Sequence, residues 1–425
     1  MRPNIVFLMS DQQRWDTLGC YGNTFVETPH LDRLAAEGAR FGTCVTPWPV
    51  CTPSRASLWT GVYPHVHGLV SNLYGEPDAI ANLSPVKTTV FDLLREAGYV
   101  TGYIGKWHLG EDDPGMFDVW NGFNSQGGHW VDGKTDGIYK PDVQTDATID
   151  FLRERAKHPE TPFVVVNSFY PPHDPYTAPE RFFEPYRRKG VPFAGYYAAV
   201  SAIDENVGRM LTALDELGLA DNTVVIYTSD HGDTFKYRHD GMHKHVCFDE
   251  AICVPLIVRW PGRVRPGSVV GAPVSLLDLL PTMLAVAGSD APEHAHGLSL
   301  VPWLDGETPS WREASYVQTI TRYEGHNQRC LRTDAWKLVV GETGPNHLYD
   351  LVHDPEEENN LYRAPLMDGE QPPAFPSHVH IIEPLVRALA HVASEVDDDV
   401  GIRAAERALA ELATRDVRRG GAQPR

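Results

Sequence analysis

The sequence predicts an α/β fold with a large, mixed, mostly parallel sheet flanked by helices over residues 1–310. A smaller C-terminal subdomain over 311–425, with an antiparallel sheet and terminal helices, is expected to follow. Three observations predict this. Short apolar runs alternate with amphipathic helical patterns through most of the chain. After about Pro309 the pattern changes to short strand-like runs joined by tight turns. Polar residues gather just behind the apolar runs, where sites form in open α/β sheets. A chain of 425 residues is long enough for a large core and a second unit.

The elements follow in order. Ile5, Val6, Phe7, Leu8 and Met9 read as a buried strand, and further strands are expected at 100–104, 163–166, 224–227 and 256–259. Thr28 is placed to cap a helix that Pro29 opens and Gly38 closes, with Leu31, Leu34 and Ala35 on one face. The string Cys51-Thr52-Pro53-Ser54-Arg55 looks like a second helix start, with proline at the first helical position and Gly61 closing the helix. Its free N–H groups favour an anion beside residue 51, and Arg55, one turn on, can offer a guanidinium fork to the same group. Helical patterns also occupy 145–157, 196–217 and 276–287. In the C-terminal part, strands are expected at 314–320, 328–333, 336–341 and 347–351, and helices at 381–396 and 402–417.

Composition narrows the function. A net charge of −20 opposes nucleic acid and anionic membranes as partners, so an anionic substrate would need a local cationic pocket. Residues 354–358 and 397–399 read as solvated acidic surface. Six cysteines in so long a chain do not form a disulfide framework; outside Cys51 they read as small apolar residues. Met1-Arg2-Pro3 leads straight into a strand without a charged, then apolar, leader, and no run approaches the ~18 apolar residues of a membrane span. A cytoplasmic location is therefore expected, and the sequon Asn82-Leu83-Ser84 carries no meaning there.

The residues behind the strands carry chemistry. Asp11-Gln12 follows the first, Lys106 and His108 the second, His173 the third, and Asp230-His231 the fourth. Taken singly, an Asp after a strand is more often a cap or turn residue, and a loop histidine more often a structural donor. Together the two pairs offer hard oxygen donors for Ca²⁺ or Mg²⁺, and the imidazole of His231 leaves Mn²⁺ open.

The eleven-residue string from Cys51 to Gly61, CTPSRASLWTG, resembles the signature Cys-x-Pro-Ser-Arg-x-x-x-x-Thr-Gly of type I sulfatases, in the alkaline phosphatase-like superfamily. The stretches 11–23, 28–35 and 348–361 also look like sulfatase segments, so the resemblance spans the chain. It implies that Cys51 is oxidised to formylglycine by a formylglycine-generating enzyme. One divalent metal, Ca²⁺ before Mg²⁺ or Mn²⁺, is then implied on Asp11, Gln12, Asp230, His231 and residue 51. Gly105-Lys106-Trp107-His108-Leu109-Gly110 resembles the string whose lysine holds the sulfate and whose histidine deprotonates the formylglycine hydrate. His173 looks like the histidine at the leaving group, and Lys244, among His239, His243 and His245, like the lysine on the sulfate. Asn72 is a spacing-based candidate for a substrate contact. The resemblance thus implies a sulfuric ester hydrolase acting on a small organic or carbohydrate sulfate, with homo-oligomerisation compatible. Two alternatives stand beside it: a phosphonate monoester or phosphodiester hydrolase of the same superfamily, and a non-catalytic metal- or anion-binding relative if Cys51 stays a thiol.

Overall fold

The computed structural model describes residues 2–75, 88–125, 128–135, 137–236, 241–321, 325–362 and 378–420. His239 and the sequon at 82–84 lie outside them. The chain divides into two compact units: Met1–Lys244 with Asp249–Trp311, and His245–Phe248 with Arg312–Arg425.

The first unit is built on a sheet of nine strands: β1 (Asn4–Asp11), β2 (Ala39–Val45), β3 (Val100–Lys106), β4 (Val119–Phe123), β5 (Phe163–Pro172), β6 (Thr223–Ser229), β7 (Cys253–Val254), β8 (Leu256–Arg259) and β9 (Ser268–Ser275). The order is β4-β3-β5-β1-β6-β8-β2-β7, with β9 paired to β2. From β4 to β6 every pairing is parallel, whereas β8 runs antiparallel to both β6 and β2. Strand β1 lies inside this parallel stretch, between β5 and β6, and is buried throughout. Its residues alternate between two cores: Ile5, Phe7 and Met9 pack into one, Val6 and Leu8 into the other. That period of two, apolar on both faces, is what a sheet covered by helices on each side requires.

Strands β2, β4, β7 and β9 were not expected. Arg40 and Gly42 interrupt β2, and Gly271 and Pro273 interrupt β9, so neither shows a continuous apolar run. Each finds its place by pairing with the other, from Ala39 with Ser268 to Val45 with Ser275, with a one-residue shift of register between Phe41 and Thr43. The helices agree in place but shift at their ends. Lys140–Arg155 begins earlier than expected because Pro141 opens it, and the helix expected at 276–287 divides into a 3₁₀ turn at Leu276–Asp278 and Leu279–Val286. Thr28 does not cap Pro29–Glu37 with its side chain. The carboxylate of Asp204, 174 and 173 residues away in sequence, accepts from the N–H groups of His30 and Leu31 instead.

The second unit carries β10 (Ser315–Ile320), β11 (Asn327–Arg332), β12 (Trp336–Gly341) and β13 (His347–Asp350), all antiparallel neighbours in chain order, with helices Val379–Glu395 and Asp399–Gly420. Buried Asp398, between those helices, accepts from Tyr316 Oη at 2.7 Å, Gln318 Nε2 at 2.7 Å and Arg329 Nη2 at 3.0 Å. The charge satisfied in this way ties helix to sheet. Among the described residues no helix is long and apolar enough to cross a membrane.

Candidate active site

Four neighbouring parallel strands, β3, β5, β1 and β6, end on one edge of the first sheet, and each delivers chemistry there. Asp11 is the last residue of β1 and Lys106 the last of β3; His173 follows β5, and Asp230-His231 follows β6. The turn after β3 depends on glycine. Gly105 has φ +108°, and a Cβ there would meet the Ser168 carbonyl oxygen at 2.0 Å. Trp107 anchors the same turn from below, 4.9 Å from the Tyr103 ring in an edge contact.

Residue 51 opens a buried helix, Cys51–Thr60, facing this edge. Pro53 stands at its third position rather than its first. The first intrahelical bond is Ser54 N to Val50 O, so a proline at 53 forfeits none. Gly61 closes the helix at φ 73° as the sequence implies. The N–H of Thr52 is taken by Asn72 Oδ1 at 3.1 Å, so Asn72 serves the helix start through its oxygen.

Asp11, Cys51, Asp230 and His231 are all fully buried, and one donor atom from each lies within 4.8 Å of the other three. Cys51 Sγ is 3.2 Å from His231 Nε2 and 3.7 Å from Asp11 Oδ1. His231 Nδ1 donates to the Gly232 carbonyl at 2.8 Å, which makes Nε2 the nitrogen that faces the cluster. Gln12, in a left-handed backbone conformation, donates its N–H to Asp230 Oδ1 and turns its amide oxygen toward Lys244.

Cations surround the cluster. Lys106 Nζ is 2.6 Å from Asp11 Oδ2 and 3.6 Å from Cys51 Sγ, beneath the Tyr170 ring. Lys244 Nζ bridges Gln12 Oε1 at 2.8 Å, His173 Nε2 at 3.1 Å and Cys51 Sγ at 3.3 Å. Arg55 is the exception to the expected arrangement. Its fork is not aimed at an anion beside residue 51. Nε donates to Asp230 Oδ2 and Nη2 to Asp11 Oδ2, both at 2.8 Å, and Nη1 donates to the Lys106 carbonyl and Ser168 Oγ. Two carboxylates buried this deeply need that neutralisation, and the arginine is consumed in providing it.

The electrostatics follow. Burial raises the Cys51 thiol, but Lys106, Lys244 and His231 outweigh it and hold the group well below its ordinary value. Burial and Cys51 push the Asp11 carboxyl up, yet Lys106, His173 and Arg55 bring it below the usual carboxylate range. Asp230, pushed up by burial and by Asp11, moves the other way. Burial works against charge on Lys106 and Lys244, and the neighbouring anions more than compensate, so both stay protonated. His108 is different: burial and Lys106 push it down to about 4, so its ring is neutral at neutral pH. Neither of its nitrogens meets hydrogen-bond geometry with a protein atom, although the ring lies beside Cys51. Orphaned polar atoms of this kind suit a bound ligand.

Three contributors carry no motif in the sequence. Ser168, on β5, meets Arg55; Tyr176 and Asp233 stand behind Gln12. Only their nearness to His173 and Asp230 in the chain could have flagged them.

The sulfatase family model matches residues 3–289, and the model for the C-terminal part of N-sulphoglucosamine sulphohydrolase matches 238–371. An ulvan-active sulfatase of Formosa agariphila is 32% identical over 86% of this chain and 78% of its own. An N-acetylglucosamine-6-O-sulfatase of Bacteroides thetaiotaomicron is 28% identical over 85% and 83%. A solved structure of a protein with its substrate, D-glucosamine-2-N,6-O-disulfate, superposes with a TM-score of 0.80 at 26% identity, covering 94% of this chain and 99% of the other. The chain belongs to the sulfatase family, and its activity is the hydrolysis of sulfate esters.

Proposed function

We propose that this site removes sulfate from a carbohydrate sulfate ester, with formylglycine made from Cys51 and one divalent metal. The observation that supports it best is the buried Asp11–Cys51–Asp230–His231 cluster flanked by two protonated lysines, a place built to stabilise negative charge at residue 51 and beside it. The donor set fits a hard cation: carboxylate oxygens of Asp11 and Asp230, the amide oxygen of Gln12 and Nε2 of His231, which a bound cation would hold deprotonated. Oxygen predominance favours Ca²⁺, and the single nitrogen admits Mg²⁺ or Mn²⁺. When bound, the metal supplies Lewis acidity that draws charge from the sulfate and lowers the pKa of an oxygen on residue 51. The hydrated aldehyde supplies a nucleophilic oxygen together with a second hydroxyl that a thiol lacks.

The chain's own groups divide the remaining work. Lys106 and Lys244 neutralise the sulfate oxygens. His173 Nε2 and Lys244 Nζ stand 3.1 Å apart, and protonated Lys244 and His173 are the groups placed to deliver a proton to the leaving alcohol oxygen. Neutral His108 accepts a proton from residue 51. Arg55 acts through Asp11 and Asp230, and Asn72 through the helix start.

Carbohydrate sulfates come first because the ulvan-active and N-acetylglucosamine-6-O relatives and the glucosamine disulfate complex all point to sugars. The test is a panel of sulfated monosaccharides set against an aryl sulfate and an aryl phosphonate monoester. The expected result is highest kcat/KM on a sulfated sugar; preference for the phosphonate would overturn the reading. Peptide mass spectrometry across Cys51 decides the nucleophile, and an unmodified thiol in fully active protein rules out formylglycine.

A further inference from the structure

Gln12 is the one proposed ligand whose usefulness depends on which way it faces. An amide offers oxygen at one end and N–H at the other, and only the oxygen can bind a cation. Two charged neighbours set the orientation. Gln12 Nε2 donates to Asp233 Oδ2 at 2.6 Å, and Oε1 accepts from Lys244 Nζ at 2.8 Å. A flipped amide would set oxygen against carboxylate and N–H against ammonium. Asp233 is itself fully buried and held by three further donors: Tyr176 Oη at 2.6 Å on Oδ2, Phe235 N at 2.7 Å and His243 Nδ1 at 2.9 Å on Oδ1. Four donors meet the four lone-pair sites of an ionised carboxylate. An asparagine of the same shape keeps one oxygen and turns two N–H groups toward donors.

We propose that Asp233, braced by Tyr176 and His243, is a positioning residue that locks the Gln12 amide with its oxygen toward Lys244 and the Asp11–Cys51–Asp230–His231 cluster, and so sets the site's affinity for its metal. The proposal rests on the metal reading above. It makes a prediction that a structural role alone does not: Asp233 matters only while residue 12 has two unlike ends. A carboxylate at position 12 presents oxygen whichever way it turns.

The experiment is calorimetric titration of chelator-treated full-length protein with Ca²⁺, with fold checked by circular dichroism. Asp233→Asn is expected to weaken Ca²⁺ binding about ten- to a hundredfold, the usual reach of a residue that orients a ligand. In a Gln12→Glu background the same substitution is expected to cost nothing. Equal losses in the two backgrounds, or wild-type affinity in Asp233→Asn, would overturn the proposal. Should Asp233→Asn not fold, Tyr176→Phe takes its place in the same cycle, with a smaller loss confined to the Gln12 background; equal losses again overturn it. A wild-type protein that binds no Ca²⁺, or binds it undiminished after Asp11→Asn, sinks the metal reading, and this inference falls with it.

Discussion

At residue 51 the environment and the side chain are mismatched in a telling way. A thiol in an apolar interior is an inert small hydrophobe. Here two lysines and a histidine converge on its sulfur, and the group is held far toward its anion. Under the proposed function these surroundings serve an oxygen nucleophile, and the encoded cysteine is its precursor. Cys51→Ala should therefore cut kcat by at least about a thousandfold, the scale of losing a covalent nucleophile. The melting temperature should change little, and residual turnover near wild type would refute a role in bond making. Arg55 shows what a motif conceals. It reads as an anion fork in the sequence, yet its Nε and Nη2 are taken by the carboxylates of Asp230 and Asp11, which come within its reach only in the fold.

Elements position these residues, and two of them invite tests. The β3 turn brings Lys106 to Asp11 only if the chain passes close to β5 at Gly105. Gly105→Ala demands both a left-handed alanine and a backbone shift, so a loss of about 1–3 kcal/mol is expected. It should appear as a lower melting temperature together with a raised KM, and an unchanged KM would separate the turn from the site. The helix Pro29–Glu37 depends on a remote cap. Burial pushes Asp204 up to about 7 from 3.8, against the opposing backbone bonds from Leu31 and His30. Its protonated form is thus favoured in the fold, so this contribution is complete below about pH 4 and is lost as pH rises through 7. Asp204→Asn should flatten the fall in melting temperature across that window, at a cost of about 1 kcal/mol for the weakened cap. An equally steep fall in the variant would show that other groups set the slope.

For the whole molecule, a net charge of −20 repels an anionic ester at long range, and the site answers locally with buried Lys106 and half-buried Lys244. The same edge gathers two carboxylates that a cation would relieve. Chelation should lower both activity and melting temperature. A metal free at a hundred times its Kd adds about 2.7 kcal/mol of stability, so the thermal shift should be readily seen. Restoration by Ca²⁺, Mg²⁺ or Mn²⁺ in turn ranks the metals, and indifference of both readouts to the chelator would remove the metal from the account.

The sequence by itself determined the fold class and the chemistry of four strand ends. Apolar runs announce the central strands, since buried parallel strands have no polar face, and the residues directly behind them stand out by contrast. The string from Cys51 to Gly61 determined the family in the same way, its residue types being local and unusual together. Only tertiary structure decided the rest. Strands β2 and β9 exist because each pairs with the other, despite the glycines and proline that hide them. Asp204 caps a helix more than 170 residues away, Arg55 pairs with the carboxylates of Asp11 and Asp230, and Asp233 turns the Gln12 amide. Each of these depends on where a distant polar atom comes to rest, and that distance in space has no period, spacing or motif in the chain.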